Sequence, residues 1–122
     1  MLKALFTAFN DGLNGILKKR SSEWPKVEKE FREKHSICEA CGSSKNLNVH
    51  HKKPFHLYPQ LELEPSNLIT LCMDKECHLK LGHGGDWKAY NPHVVEDVEK
   101  VKKDINQLTE AAEHAEKSRL FE

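Results

Sequence analysis

The sequence predicts an α+β fold, in which a small cysteine-stapled core of two short strands and a helix is flanked by N-terminal helices and a long C-terminal amphipathic helix. Three observations carry this reading. Two close cysteine pairs, Cys38/Cys41 and Cys72/Cys77, bracket a stretch of 30 residues. Leu47-Asn-Val-His-His and Leu68-Ile-Thr-Leu-Cys, at the two ends of that stretch, read as short strands. After them, Val94, Val98, Val101, Ile105, Leu108, Ala112 and Ala115 step by four and three, the rhythm of a helix with one apolar seam.

Taken in order, Leu2, Phe6, Phe9, Leu13 and Ile16 show the same heptad rhythm and predict an amphipathic helix over residues 2–17, weakened by Gly12 and Gly15. A second helix is expected over residues 21–35, with Ser22 as its N-cap, Pro25 in the tolerated first turn, and Trp24, Val27 and Phe31 on one face. Residues 36–46 read as a loop. Pro54, Pro59 and Pro65 make residues 52–66 a long ordered loop between the strands. A helix of one or two turns then runs from Cys77 to a stop at Gly82. The divisions expected are N-terminal helices at 1–35, the core at 36–92 and the C-terminal helix at 93–122.

Composition narrows the function classes. With 38% hydrophobic residues and nine aromatic residues in 122, a large apolar core is not available, and small cores of this kind need a metal or disulfides. Lys+Arg and Asp+Glu balance at 19 each, which excludes a uniformly basic nucleic-acid sleeve. The balance is local, however. Residues 1–34 carry 8 basic and 5 acidic side chains, and residues 94–122 carry 5 and 8. No run of 18 apolar residues is present, and the polar Asn10, Asp11 and Asn14 break any signal-peptide core, so a cytoplasmic protein with no transmembrane segment is expected.

The cysteines and histidines carry the chemistry. Cys38-x2-Cys41-Gly42 and Cys72-x4-Cys77 each form a short turn with two sulfurs, and two such turns close a tetrahedral zinc site. Disulfides or plain buried thiols are the alternatives, disfavoured in a reducing compartment. His50 and His51 are adjacent on a strand, so they face opposite sides and cannot share a job. One imidazole can hold a metal while the other, kept neutral and oriented by an amide oxygen, takes a proton from water.

These residues, in the order Cys38-x2-Cys41, Val49-His50-His51-Lys52-Lys53-Pro54, Asn67-Leu68-Ile69-Thr70-Leu71-Cys72 and Cys77-His78, resemble the HNH endonucleases of the ββα-metal superfamily. The resemblance covers residues 36 to about 92. It implies a metal-dependent DNA endonuclease that leaves 5′-phosphate and 3′-hydroxyl ends, with His51 as general base, Asn67 orienting that base through its side chain, and His50 and His78 as ligands of a catalytic divalent ion (Mg²⁺, Mn²⁺, Ni²⁺ or Zn²⁺). The four cysteines fall on the structural zinc knuckles of many members, although their second pair is more often spaced by two residues.

His83 lies five residues beyond His78, about 140° around an α-helix, and reads either as a third metal ligand or as a histidine lining the cleft. His56 is expected to be structural or DNA-facing. Lys52, Lys53, Lys80 and Lys88 are candidate DNA contacts, with a solvated face as the alternative for each. Trp87 and Tyr90 are expected to pack in the core rather than stack on bases. Two rival functions stand beside the nuclease: a zinc-stabilised DNA-binding module that does not cleave, and a helix-mediated interaction or membrane-surface protein carrying a zinc domain. DNA is the expected partner, with a homodimer through the flanking helices as a further one; the C-terminal seam is expected to pack against residues 2–17 or a second chain.

Overall fold

The computed structural model describes residues 19–120 of the chain, and the helix expected over residues 2–17 lies outside them. Helix α1 spans Trp24–Lys34. Strands β1 (Leu47–His51) and β2 (Leu68–Cys72) follow, then a single helical turn, His78–Gly82, and the long helix α2 (Val94–Leu120). This is the mixed α+β arrangement expected: a ββα core between helices.

The strands pair antiparallel, from Leu47 opposite Cys72 to His51 opposite Leu68. Alternation along β1 sends Asn48 and His50 toward the His78–Gly82 turn and His51 toward α1. All five residues of β2 are buried, because helices cover the sheet on both faces. Helix α1 begins one residue later than the cap expected: Glu23 is the N-cap, and Ser21 rather than Ser22 supplies the hydroxyl, accepting the Glu23 N–H at 3.1 Å.

Between the strands, two short 3₁₀ turns at Pro59–Leu61 and Pro65–Asn67 interrupt the proline-rich loop. Asn67 fastens it. Its Oδ1 accepts the Lys53 N–H at 2.9 Å, and its Nδ2 donates to the carbonyls of Lys53 at 3.0 Å and Leu61 at 3.2 Å. A buried amide with three backbone partners is costly to remove. Asn67→Ala is therefore expected to lower unfolding free energy by about 1–3 kcal/mol, with limited proteolysis appearing first within residues 52–66.

Among the described residues the core is small and its buried members include no aromatic ring: Cys38, Ala40, Ile69, Leu71, Cys72, Cys77, Val94 and Val98. Val94 and Val98 bring the first turns of α2 down onto the cysteine knuckles. Asn91 ties this junction, donating to the Leu81 carbonyl at 2.7 Å and to Asp97 Oδ2 at 2.8 Å. The C-terminal seam thus begins by covering the core instead of another helix. Val101 and Ile105 are half-buried, and from Leu108 onward, 71% exposed, no described residue covers the seam.

Candidate metal centres and active-site cleft

The four cysteine sulfurs converge within 4.8 Å of one another as free thiols, with Cys41 and Cys72 Sγ atoms 3.5 Å apart. A tetrahedron with Zn–S bonds of 2.3 Å has edges of about 3.8 Å, so the set fits such an ion. Gly42, at φ 78°, makes the tight return in the first knuckle, where the Gly42 N–H donates to the Cys38 carbonyl at 2.9 Å. The second knuckle absorbs its four intervening residues by placing Glu76 at φ 59°, a left-handed kink directly before Cys77.

Charge points the same way. Burial pushes the Cys41 and Cys77 thiols up. Burial acts on Cys72 as well, but hydrogen bonds from the Lys75 N–H and from Cys41 outweigh it and bring Cys72 down to about 7. Four crowded thiols cannot all ionise alone, whereas a bound cation holds them as thiolates.

A second convergence lies on the other side of β1. Nitrogen atoms of His50, His78 and His83 also lie within 4.8 Å of one another, with His78 Nε2 3.1 Å from His50 Nδ1. His78 Nδ1 donates to Asn48 Oδ1 at 3.3 Å, and His83 Nδ1 donates to the Ala89 carbonyl at 3.0 Å, which makes Nε2 the lone-pair nitrogen of both rings. Burial, then the neighbouring His78 and His83, hold His50 down to about 3. Burial followed by His83 holds His78 down to about 4. Three neutral imidazoles with converging lone pairs are a ligand set for a divalent ion.

The five-residue spacing of His78 and His83 is accommodated by the backbone. The His83 N–H reaches the His78 carbonyl at 3.2 Å and the Leu79 carbonyl at 3.3 Å, so the turn is wound wider than an α-helix and His83 returns above His78. Gly82 has a role beyond stopping the helix. A Cβ there would sit 3.0 Å from the His78 ring and 3.2 Å from the His50 ring, so a larger residue would push these rings by a few tenths of an ångström.

His51 occupies the opposite face of the strand. Its Nε2 donates to the Glu62 carbonyl at 2.9 Å, which fixes the tautomer and leaves Nδ1 as the acceptor. Trp24 packs against the ring, with centroids 4.4 Å apart and planes tilted by 34°. The expected contact between His51 and the Asn67 side chain is not formed, because that amide is engaged with the backbone of the loop that also carries Glu62. Burial lowers the His51 pKa, with the Glu62 carbonyl opposing and Arg20 adding to the effect.

Both histidine groups open into one cleft of about 500 Å³, lined by Arg20, Trp24, Phe55 and His56 together with His50, His51, His78 and His83. None of the four candidate lysines lines it. Lys52 Nζ donates to the Ser66 carbonyl and Lys80 pairs with Glu76, while Lys53 lies over Tyr58. Lys88 belongs to the exposed turn after His83. Trp87 is not a core residue either: it is 48% exposed, with its ring 5.1 Å from both His78 and His83.

Among the described residues, the cation that lines the cleft is Arg20. Its Nε pairs with Glu62, a carboxylate only 4% exposed that also accepts the Ser21 N–H at 3.0 Å. No local pattern marks Arg20 or Glu62, since their pairing joins positions 42 residues apart. Asn48 was within reach of sequence reasoning, as the residue two before His50 on the same face of β1.

Residues 38–84 match the HNH endonuclease family model. The matched segment runs from the first cysteine knuckle through both strands to the turn that carries His83, and α1 and α2 flank it. No curated protein and no solved structure matches the chain. An HNH segment points to nuclease or DNA-binding function. Among the described residues, no helix is long and apolar enough to cross a membrane.

Proposed function

We propose that the chain is a metal-dependent DNA endonuclease that hydrolyses phosphodiester bonds to 5′-phosphate and 3′-hydroxyl ends. The observation that supports it best is the division of labour between adjacent residues of β1. His50 joins a three-histidine cluster, while His51 is held by a carbonyl with Nδ1 free, and both face one cleft. A module that only bound DNA would need neither arrangement.

Cys38, Cys41, Cys72 and Cys77 would hold a zinc ion that ties the core together. His50, His78 and His83 would hold a divalent ion, which would supply charge neutralisation. The remaining work belongs to the chain. His51 Nδ1 accepts the proton of a water aimed at phosphorus. Glu62 and Trp24 hold that ring in place. Arg20, anchored through Nε by Glu62, presents its guanidinium to a phosphate oxygen. Asn67 acts as a positioning residue for the loop.

Plasmid nicking with Mg²⁺, Mn²⁺, Ni²⁺ or Zn²⁺ tests the reading. Wild type is expected to cut, and His50→Ala or His78→Ala to abolish cutting while one tightly held zinc per chain remains. DNA binding without cleavage under every metal would instead support the binding module.

A further inference from the structure

Helix α2 outruns the core it covers. Its seam continues as Ile105, Leu108, Ala112 and Ala115, two large side chains followed by two small ones. Residues 94–122 carry 8 acidic and 5 basic side chains, which makes nucleic acid a poor cover for this face.

We propose that this stretch pairs with the same stretch of a second copy of the chain, antiparallel, about a two-fold axis level with residue 110. The order of sizes carries the orientation. Antiparallel pairing sets Ile105 opposite Ala115 of the other copy and Leu108 opposite Ala112, so each layer holds one large and one small side chain and the helices keep a constant separation. Parallel pairing would set Ile105 and Leu108 against themselves and leave the alanine layers underfilled.

The flanking positions agree. Lys102 faces Glu116 of the other copy, twice by symmetry, Asp104 faces Ser118, and Thr109 and Ala111 each meet their own copies across the axis. No like charges meet. Lys102 is exposed enough for this, its contact with Glu39 being a 3.3 Å surface pair. Val94 and Val98 stay committed to their own cores. With Val98 about twelve residues from the axis, the two cores stand roughly 36 Å apart, close to one turn of duplex DNA at about 34–36 Å. Association itself does not depend on the nuclease reading.

Sedimentation equilibrium of the full zinc-loaded chain is expected to show a mass rising with concentration from 14.1 kDa toward twice that value. Lys102→Glu should weaken association about fivefold and Glu116→Lys in the same chain should restore it. Under mild oxidation Ala111→Cys, beside the axis, should cross-link to itself, whereas Ala115→Cys should not, its copies being about 15 Å apart along the helices. A monomer at every concentration would overturn the proposal. So would cross-linking through Ala115→Cys, whether alone, as parallel pairing requires, or equally with Ala111→Cys.

Discussion

His51→Ala is expected to keep DNA and metal binding and to lose at least about a hundredfold in cleavage rate, the usual contribution of a positioned base. Two neighbours share the assignment: the Glu62 carbonyl occupies Nε2, and Trp24 holds the ring against the strand. The base works only when neutral. Burial lowers the His51 pKa below the ordinary value of about 6.5, so the acid limb of the rate profile should lie below that pH, with no further gain from this group above neutrality. Initial rates of plasmid nicking from pH 5 to 8 at saturating metal check both points. Near-wild-type cutting by His51→Ala would move the base elsewhere in the cleft, with His56 the next residue to test.

Stripping the metal from the four-cysteine cluster should unfold the core. Its largest fully buried side chains are Leu71, Val94 and Val98, with no aromatic ring among them. Small domains bury too little surface to fold comfortably without a staple. A structural zinc contributes about 10–16 kcal/mol in comparable small sites, against a typical domain stability of about 5–15 kcal/mol. Chelation, or Cys72→Ser, is therefore expected to abolish the cooperative thermal transition and the dispersed amide spectrum, and re-addition of Zn²⁺ should restore both to the chelated wild type. A fold that survives chelation with no tightly held metal would remove the structural role.

Much of the core was legible because its determinants are local. Both strands appear over the residues expected, and the cysteine knuckles assemble as the spacing of Cys38/Cys41 and Cys72/Cys77 implies. Alternation alone separated His50 from His51. What escaped was contact across distance. The partner of the His51 ring is a carbonyl in the loop, which any residue type supplies, so nothing in the sequence distinguishes Glu62 as its source. The place of Asn67 in the pattern implies contact with His51, whereas its amide satisfies three backbone groups of the loop. The motif's neighbourhood points to lysines as DNA contacts, whereas among the described residues the cation that lines the cleft is Arg20, ahead of α1. The C-terminal seam was periodic throughout, but periodicity does not say how many of its turns a core has room to cover.

The widened turn His78–Gly82 has a consequence for how such sites are spelled. Two histidines four apart on an α-helix and two histidines five apart on this turn both bring their rings to one side. A template written as a fixed number of intervening letters treats the second as a broken copy of the first, although the rings meet in the same way. What a metal needs is a direction in space, and a single added residue is absorbed by the winding of the backbone. Deleting Lys80 or Leu81 would tighten the turn by one residue, and a cluster that re-forms on the shortened turn would show that the grammar of the site is written in angles rather than in counts.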